Sequence, residues 1–258
     1  MSLIHATAII DPRADIAEGV EIGPYSVIGA DVVIGADTWI GPHVVISGPT
    51  RIGERNRIYQ FASVGADCQD KKYRGEPTRL EIGDDNVIRE ACSLHRGTIQ
   101  DKSLTKIGSR NLLMVNSHIA HDVVIGDDNI IANNAGIAGH VVIGDGVIVG
   151  GNSGIHQFCR IGSYAMLGGG TTLFKDVPAY VMASGNPAIP RGMNFEGMKR
   201  KGWSSETINA LRRAYKAVYR DGLNLDDAYA PLAELASKAP EVQLFIDSLR
   251  ASTRGIIR

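Results

Sequence analysis

Histidine and aspartate carry much of the proton chemistry open to a protein near neutral pH. The stretch His118-Ile119-Ala120-His121-Asp122 holds three such groups in five residues. Two histidines three apart would share one face of a helix, where they could hold a metal. A histidine followed by an aspartate could instead be half of a general-base arrangement. A third reading makes both rings ordinary polar surface. The element that carries them decides among the three.

The bulk numbers narrow the setting. A chain of 258 residues suits one large domain or one domain with a small companion, and 44% hydrophobic with 21% charged residues is a globular composition. A net charge of -1 makes no global electrostatic case for nucleic acid. Cys68, Cys92 and Cys159 are far apart and form no CxxC pair, which points to a reducing compartment and away from a disulfide framework or a thiolate zinc site. The stretch MSLIHATAIIDPRADIAEG lacks the basic and apolar regions of a signal peptide. No run approaches the roughly 20 apolar residues of a membrane span. The expectation is a cytoplasmic protein with no membrane span and no nucleic-acid partner.

Glycine is over-represented, at 30 residues, and its placement is regular. From Ile4 an aliphatic residue recurs every six positions through Ile10, Ile16, Ile22, Ile28 and onward to Val64. The phase returns at Ile82, Ile88 and Leu94, slips by one, and runs from Ile107 through Leu113, Ile119 and Ile125 to Leu173. Glycine often follows the aliphatic residue, as at Gly23, Gly29, Gly35, Gly126 and Gly144. The fifth position is small or β-branched, as at Ala14, Val20, Ser26 and Val32. A helix needs an apolar period of roughly 3.6 and an amphipathic strand a period of about 2, so a period of six is neither. It suits a short strand and a tight bend, the aliphatic and small residues turned inward and Gly, Asn or Asp supplying the turn. Stacked copies make parallel ladders around one long core. His118–Asp122 is therefore strand and bend, and the helical metal pair falls away.

Two polar stretches break the repeat, at Gly65–Leu80 and roughly Arg96–Lys106, and loops on a rigid scaffold are where function concentrates. The repeat ends near Met182, and SGNPAIPRG reads as a linker in which Pro187 and Pro190 block regular structure. Beyond it, Ile208, Leu211, Tyr215, Val218 and Tyr219 form a helical stripe, with Ser204 or Ser205 as N-cap and Gly222 as stop. Further helices are expected over Leu225–Lys238 and Pro240–Ala251, capping one end of the ladder.

The hexads resemble those of the hexapeptide-repeat acyltransferase superfamily, whose coils are left-handed and triangular, with three hexads per turn. The fold class implied is mainly β: a left-handed parallel β-helix of hexapeptide repeats with a small C-terminal α-helical domain. The expected division is 1–185, with inserted loops at about 65–80 and 96–106, and 190–258. At three hexads per turn, Ala120-His121-Asp122 stacks under Ala138-Gly139-His140, and that under His156-Gln157-Phe158. Titratable groups thus converge on one edge, with His118 beside them.

The segments CQDKKYRGEPTRLEIG, SLHRGT, NLLMVNSHIAHD, ANNAGIAGH, GIHQFCRIG, DVPAYV, SGNPAIPRGMNFEGMKRKG and STRGIIR narrow this further. Together they resemble the UDP-N-acetylglucosamine O-acyltransferase family over essentially the whole chain. That resemblance implies an enzyme, an acyltransferase at the first step of lipid A biosynthesis. It would move a 3-hydroxyacyl group from acyl carrier protein to the 3-hydroxyl of UDP-N-acetylglucosamine, as a homotrimer, with no metal and no cofactor beyond the acyl thioester.

By the same resemblance the catalytic residues are His121 as base, Gly139 as backbone oxyanion donor, and Asp122 beside the base, where the family has an acidic group or carbonyl that fixes the tautomer. Strand alternation would turn the Asp122 carboxylate away from the His121 ring. Asp70, Lys72, His118 and His140 resemble the sugar site. Gln157, Asn194, Glu196 and Arg200 resemble the nucleotide and phosphate contacts, and His156 is either structural or at the pocket rim. Gly169 and Gly151, in a column with Asn133 on the next face, and also His95, are assigned to the acyl-chain ruler. The small residues around Gly169 leave room for a 3-hydroxymyristoyl-like chain, although glycine there could instead only relieve backbone strain. Lys199, Arg200, Lys201, Arg212, Arg213, Lys216 and Arg220 form either a solvated face or a patch for acidic acyl carrier protein.

Three other readings compete with this one. A β-helical zinc enzyme needs three imidazoles around one ion, and the spacing here does not match. A related N-acyltransferase would carry another N-terminal domain, whereas hexads here begin at residue 4. A purely structural solenoid leaves the histidine patch and both loops without a purpose.

Overall fold

Each hexad becomes a strand of two to four residues closed by a bend, in a computed structural model that describes residues 3–200 and 202–258. Every third strand pairs in parallel. Leu3–Ile4 lies on Glu21–Ile22, which lies on Trp39–Ile40, so each coil spans three hexads. Three sheets result, of 11, 9 and 8 strands among the described residues, one on each face of a left-handed triangular coil. The core is the aliphatic column itself: Ile22, Ile40, Ile58, Ile88 and Leu113 are at most 1% exposed. The insertions leave the ladder intact, since Ile52, Ile82, Ile107 and Ile125 still pair in sequence across them.

Two expectations about the bends are corrected. The glycines after the aliphatic residue serve close approach rather than turn geometry. A Cβ at Gly35 would meet the Gly53 carbonyl carbon at 2.5 Å, and one at Gly23 would meet Gly41 at 2.7 Å. The left-handed backbone falls elsewhere in the bend and is taken by bulky residues as well as Asn and Asp, including Tyr25, His43, Phe61, His140, Phe158 and Tyr164. That conformation costs an ordinary residue about 1 kcal/mol. Ring stacking along the column offsets it, as in Tyr25 on His43 (5.2 Å) and His140 on Phe158 (4.5 Å).

The expected linker is also corrected. Val181–Ser184 forms an antiparallel hairpin with Ile189–Met193, Pro190 facing Ala183. The second arm is the outermost strand of its sheet, where a proline need not donate to the ladder. Four helices follow among the described residues: α1 (Phe195–Arg200), α2 (Ser205–Tyr219), α3 (Leu225–Ala236) and α4 (Glu241–Arg250). The sequence pattern did not reveal α1, which is too short to show a period. Ser204 caps α2 by accepting the Thr207 N–H, and Pro240 precedes α4 rather than starting it. The helices close one end of the coil, where the Tyr180 hydroxyl donates to the Glu241 carbonyl at 3.0 Å. The C-terminal tail returns to Asp176, which accepts from Ser252, Thr253 and Arg254. No helix among the described residues is long and apolar enough to cross a membrane.

Candidate active site

The strand carrying the histidines is only His118–Ile119, so Ala120, His121 and Asp122 form the bend that follows it. This overturns the expectation that alternation separates the His121 ring from the Asp122 carboxylate. Asp122 has φ 59°, and the left-handed turn brings its Oδ2 to 2.9 Å from His121 Nδ1. Asp122 is 1% exposed and also accepts from Thr98, whose N–H lies 3.0 Å from Oδ1 and whose hydroxyl lies 2.5 Å from Oδ2. Burial is the largest single influence on this carboxyl and pushes its pKa up. The donors from His121 and Thr98 together outweigh it and hold the group below its usual range.

Gly139 stacks on His121 as the three-hexad column requires. A Cβ there would lie 2.6 Å from His121 Cε1 and 2.8 Å from Nε2, so only glycine leaves the ring in place. Among the described residues the Gly139 N–H donates to no acceptor. His140, one residue on, stands edge-to-face with His121 at 5.0 Å and donates from Nδ1 to Asp101 at 3.0 Å. Within this group His121, Asp122 and His140 offer ligand atoms within 4.8 Å of one another, a set that could hold a metal ion.

Both inserted loops close on this edge. The buried Arg96 guanidinium donates to the carbonyls of Gly48 and Gly65 and to Asp67 and Tyr73, tying the first loop to the start of the second. Asp70 turns back on its own loop and accepts the Lys72 N–H at 2.9 Å.

Two depressions meet at His121. One, of about 580 Å³, is mostly apolar; its lining includes His95, His118, Ala120, Ile137, Ala138, Gly154, Thr172 and Phe174. Gly136 and Gly154 face open space on its floor, where any side chain would fill it. The other, of about 630 Å³, is polar and lined by Lys72, Thr98, Gln100, Asp101, Lys102, His140, Gln157, Phe158 and Arg160, among others. Asp70 and His121 belong to both. His156 lines the apolar groove beside Phe174, which places it at the rim. His95 is buried and packs edge-on to His118 at 4.9 Å. Burial pushes its pKa down to about 4, and burial followed by the nearby His121 lowers that of His118.

The remaining expected residues lie elsewhere on the chain. Asn194 and Arg200 line a separate cavity of about 210 Å³ with Gly146, Ile148, Tyr164 and Trp203. Glu196 is exposed and paired with Lys199 at 2.8 Å. Gly151 and Gly169 stack on the corner between the first and second sheets, whereas His121 is on the corner between the second and third. Lys201 lies outside the described residues. Sequence reasoning missed Thr98 and Asp101, because the insertion destroys the register that would have located them. Phe158 sits one coil beyond His140 in the same column, so the register did point to it.

Comparison with known proteins gives the family. Residues 176–257 match the family described as Udp N-acetylglucosamine O-acyltransferase, domain 2. Residues 1–36, 31–66, 104–139 and 140–175 match bacterial transferase hexapeptide repeats. Acyl-[acyl-carrier-protein]--UDP-N-acetylglucosamine O-acyltransferases from a Psychrobacter species and from Stutzerimonas stutzeri are 62% and 58% identical, each over 100% of both chains. The structure of the Acinetobacter baumannii enzyme LpxA superposes with a TM-score of 0.97 at 64% identity, covering 99% of this chain and 100% of that one. The Moraxella catarrhalis UDP-N-acetylglucosamine O-acyltransferase does so with a TM-score of 0.98 at 57% identity, again over 99% and 100%. With that identity along its full length and a histidine–carboxylate pair between two grooves, the chain belongs to the UDP-N-acetylglucosamine O-acyltransferase family and is an acyltransferase.

Proposed function

We propose that the protein transfers a 3-hydroxyacyl group from acyl carrier protein to the 3-hydroxyl of UDP-N-acetylglucosamine, the first step of lipid A biosynthesis, in the cytoplasm. The observation that carries this reading is the position of His121 between an apolar groove and a polar cleft. An acyl chain and a nucleotide sugar would meet at one imidazole.

With Nδ1 committed to Asp122, the His121 Nε2 accepts the sugar hydroxyl proton as the oxygen attacks the thioester carbonyl. The Gly139 N–H steadies the oxyanion of the tetrahedral intermediate, and one such preorganised donor contributes about 3 kcal/mol. Collapse breaks the C–S bond, and His121 returns its proton to the departing thiolate. Asp70, Lys72, His118 and His140 hold the sugar, with Gln157 and the cationic Lys102 and Arg160 lining the path towards the diphosphate. No cofactor is required. Three unpaired cysteines suit a reducing compartment.

Asn194, Glu196, Arg200, Gly151 and Gly169 act from a second copy. They sit on the side of the first sheet, away from the His121 edge. Repeating one such heterologous contact by rotation closes a ring, here a homotrimer. The second copy's Gly151–Gly169 corner then walls the acyl groove beside His95, and the absence of side chains there admits a 3-hydroxymyristoyl-like chain. The test is mass spectrometry of the product made from UDP-N-acetylglucosamine with a panel of 3-hydroxyacyl carrier proteins. His121→Ala is expected to abolish product while retaining nucleotide-sugar binding, and turnover by that variant sinks the base assignment.

The close grouping of His121, Asp122 and His140 favours one variant of this reading, in which a metal ion held by that set assists the acyl transfer. On the metal-free reading, dialysis against a chelator leaves the rate unchanged, and loss with recovery on adding zinc would favour the metal.

A further inference from the structure

The polar cleft holds a second carboxylate–imidazole contact that the transfer steps do not use. Asp101, in the second inserted loop, has its Oδ2 3.0 Å from Nδ1 of His140. The same nitrogen is 4.0 Å from Oδ2 of Asp122, the oxygen that accepts from His121 Nδ1 at 2.9 Å. That oxygen already accepts the Thr98 hydroxyl at 2.5 Å and, at 3.1 Å, the Thr98 N–H that it shares with Oδ1. A carboxylate oxygen has two lone pairs, and the donors from His121 and Thr98 fill both. A further donor can enter only in competition with them.

The His140 ring is held flat against Phe158 at 4.5 Å with an interplanar angle of 9°. Stacking fixes the plane of the ring and leaves the place of Nδ1 within that plane to its hydrogen-bond partner. Of the two carboxylates in reach, Asp101 is nearer by 1.0 Å, the difference between 4.0 and 3.0 Å.

We infer that Asp101 is a positioning residue: by holding the Nδ1–H of His140 it reserves the Asp122 carboxylate for His121. Without Asp101, His140 turns to Asp122 Oδ2, and the base shares its orienting partner. Sharing weakens both the orientation of the His121 ring and the stabilisation of its protonated form. The pair is one-third exposed on the Asp101 side, so its contribution to folding is small and the variant folds. The inference rests on the assignment of His121 as base.

The experiment is a double-mutant cycle on the full chain, with kcat and KM measured for the nucleotide sugar. Asp101→Ala is expected to lower kcat about tenfold and move KM less than about twofold, while Asp101→Glu recovers most of the loss. His140→Phe keeps the stack on Phe158 and removes the competing donor. In that slower background, Asp101→Ala should cause no further loss. An equal loss in both backgrounds, or an unchanged kcat in the first, overturns the proposal.

A second readout does not depend on turnover. The imidazole 15N resonances of His121 should shift in Asp101→Ala and return in the variant that also carries His140→Phe. Unmoved resonances overturn the positioning role even if no carrier thioester proves to be a substrate, which separates this failure from failure of the transfer reading.

Discussion

At the scale of single residues, the site depends on one absent side chain and one neutral ring. Gly139 is confined by His121, because a methyl group would press 2.6 Å from Cε1 and displace the imidazole. Gly139→Ala is therefore expected to lose about 100-fold in kcat through misplacement of the base, with little change in thermal midpoint. A kcat within threefold of wild type would show that the ring has room to yield. His95 makes a pH prediction. Its pKa falls from 6.5 to about 4 through burial. The unfolded chain gains a proton below about 6.5 and the folded chain only near 4, so this group erodes stability as pH falls through that window and no further below it. The loss is at most about 3 kcal/mol. Urea unfolding between pH 7 and 4 should show a shallower decline for His95→Asn than for wild type, and parallel declines would refute the assignment. His121, His140 and Gly139 were legible because residues in a strict solenoid inherit their neighbours from arithmetic. The Asp122 carboxylate was misjudged because a strand rule was applied to a residue in a left-handed bend.

At the scale of elements, the ladder tolerates two insertions because polar side chains inside it bridge them. Asn86 accepts from the Asn111 backbone N–H at 2.9 Å and side chain at 3.0 Å, and donates to Asn56 at 3.0 Å. These buried amides join coils that lie up to 30 residues apart. The loops themselves hang on Arg96, whose four acceptors come from the first insertion and the coil beneath it. Replacing Arg96 with Met leaves the buried Gly65 carbonyl unsatisfied and frees both loops, at a cost of about 3 kcal/mol. Limited proteolysis should then cut within 65–80 or 96–106 well before the coil. A variant as resistant as wild type would show that the loops are held by other contacts. The hexads announced the coil and the insertions, and the apolar stripes announced three of the helices, since each repeats a period long enough to detect. The hairpin at Val181–Met193 and α1 escaped because neither is periodic, and two prolines close together carry the composition of a linker.

At the scale of the whole molecule, the divided site is the property most open to a decisive experiment. On the trimeric reading each centre takes His121 from one copy and Arg200 from the next. His121→Ala and Arg200→Ala are then each inactive alone, for different reasons. Mixing them after reversible dissociation gives trimers of both parents. Around any mixed ring, one contact pairs an intact His121 with an intact Arg200, so one centre of three is restored. Random assembly of equal amounts makes about three-quarters of the rings mixed, which sets the recovered rate at about a quarter of wild type. A site built within one chain gives no recovery at any ratio. Recovery above about a third exceeds what one intact centre per ring can supply, and would refute a site shared between two neighbours. The rate alone does not separate a ring from a dimer, because a dimer restores one centre of two in half its assemblies and so returns the same quarter. Sedimentation of the mixed sample therefore accompanies the assay, and a mass near three times 27.6 kDa is the expected companion to the recovered rate.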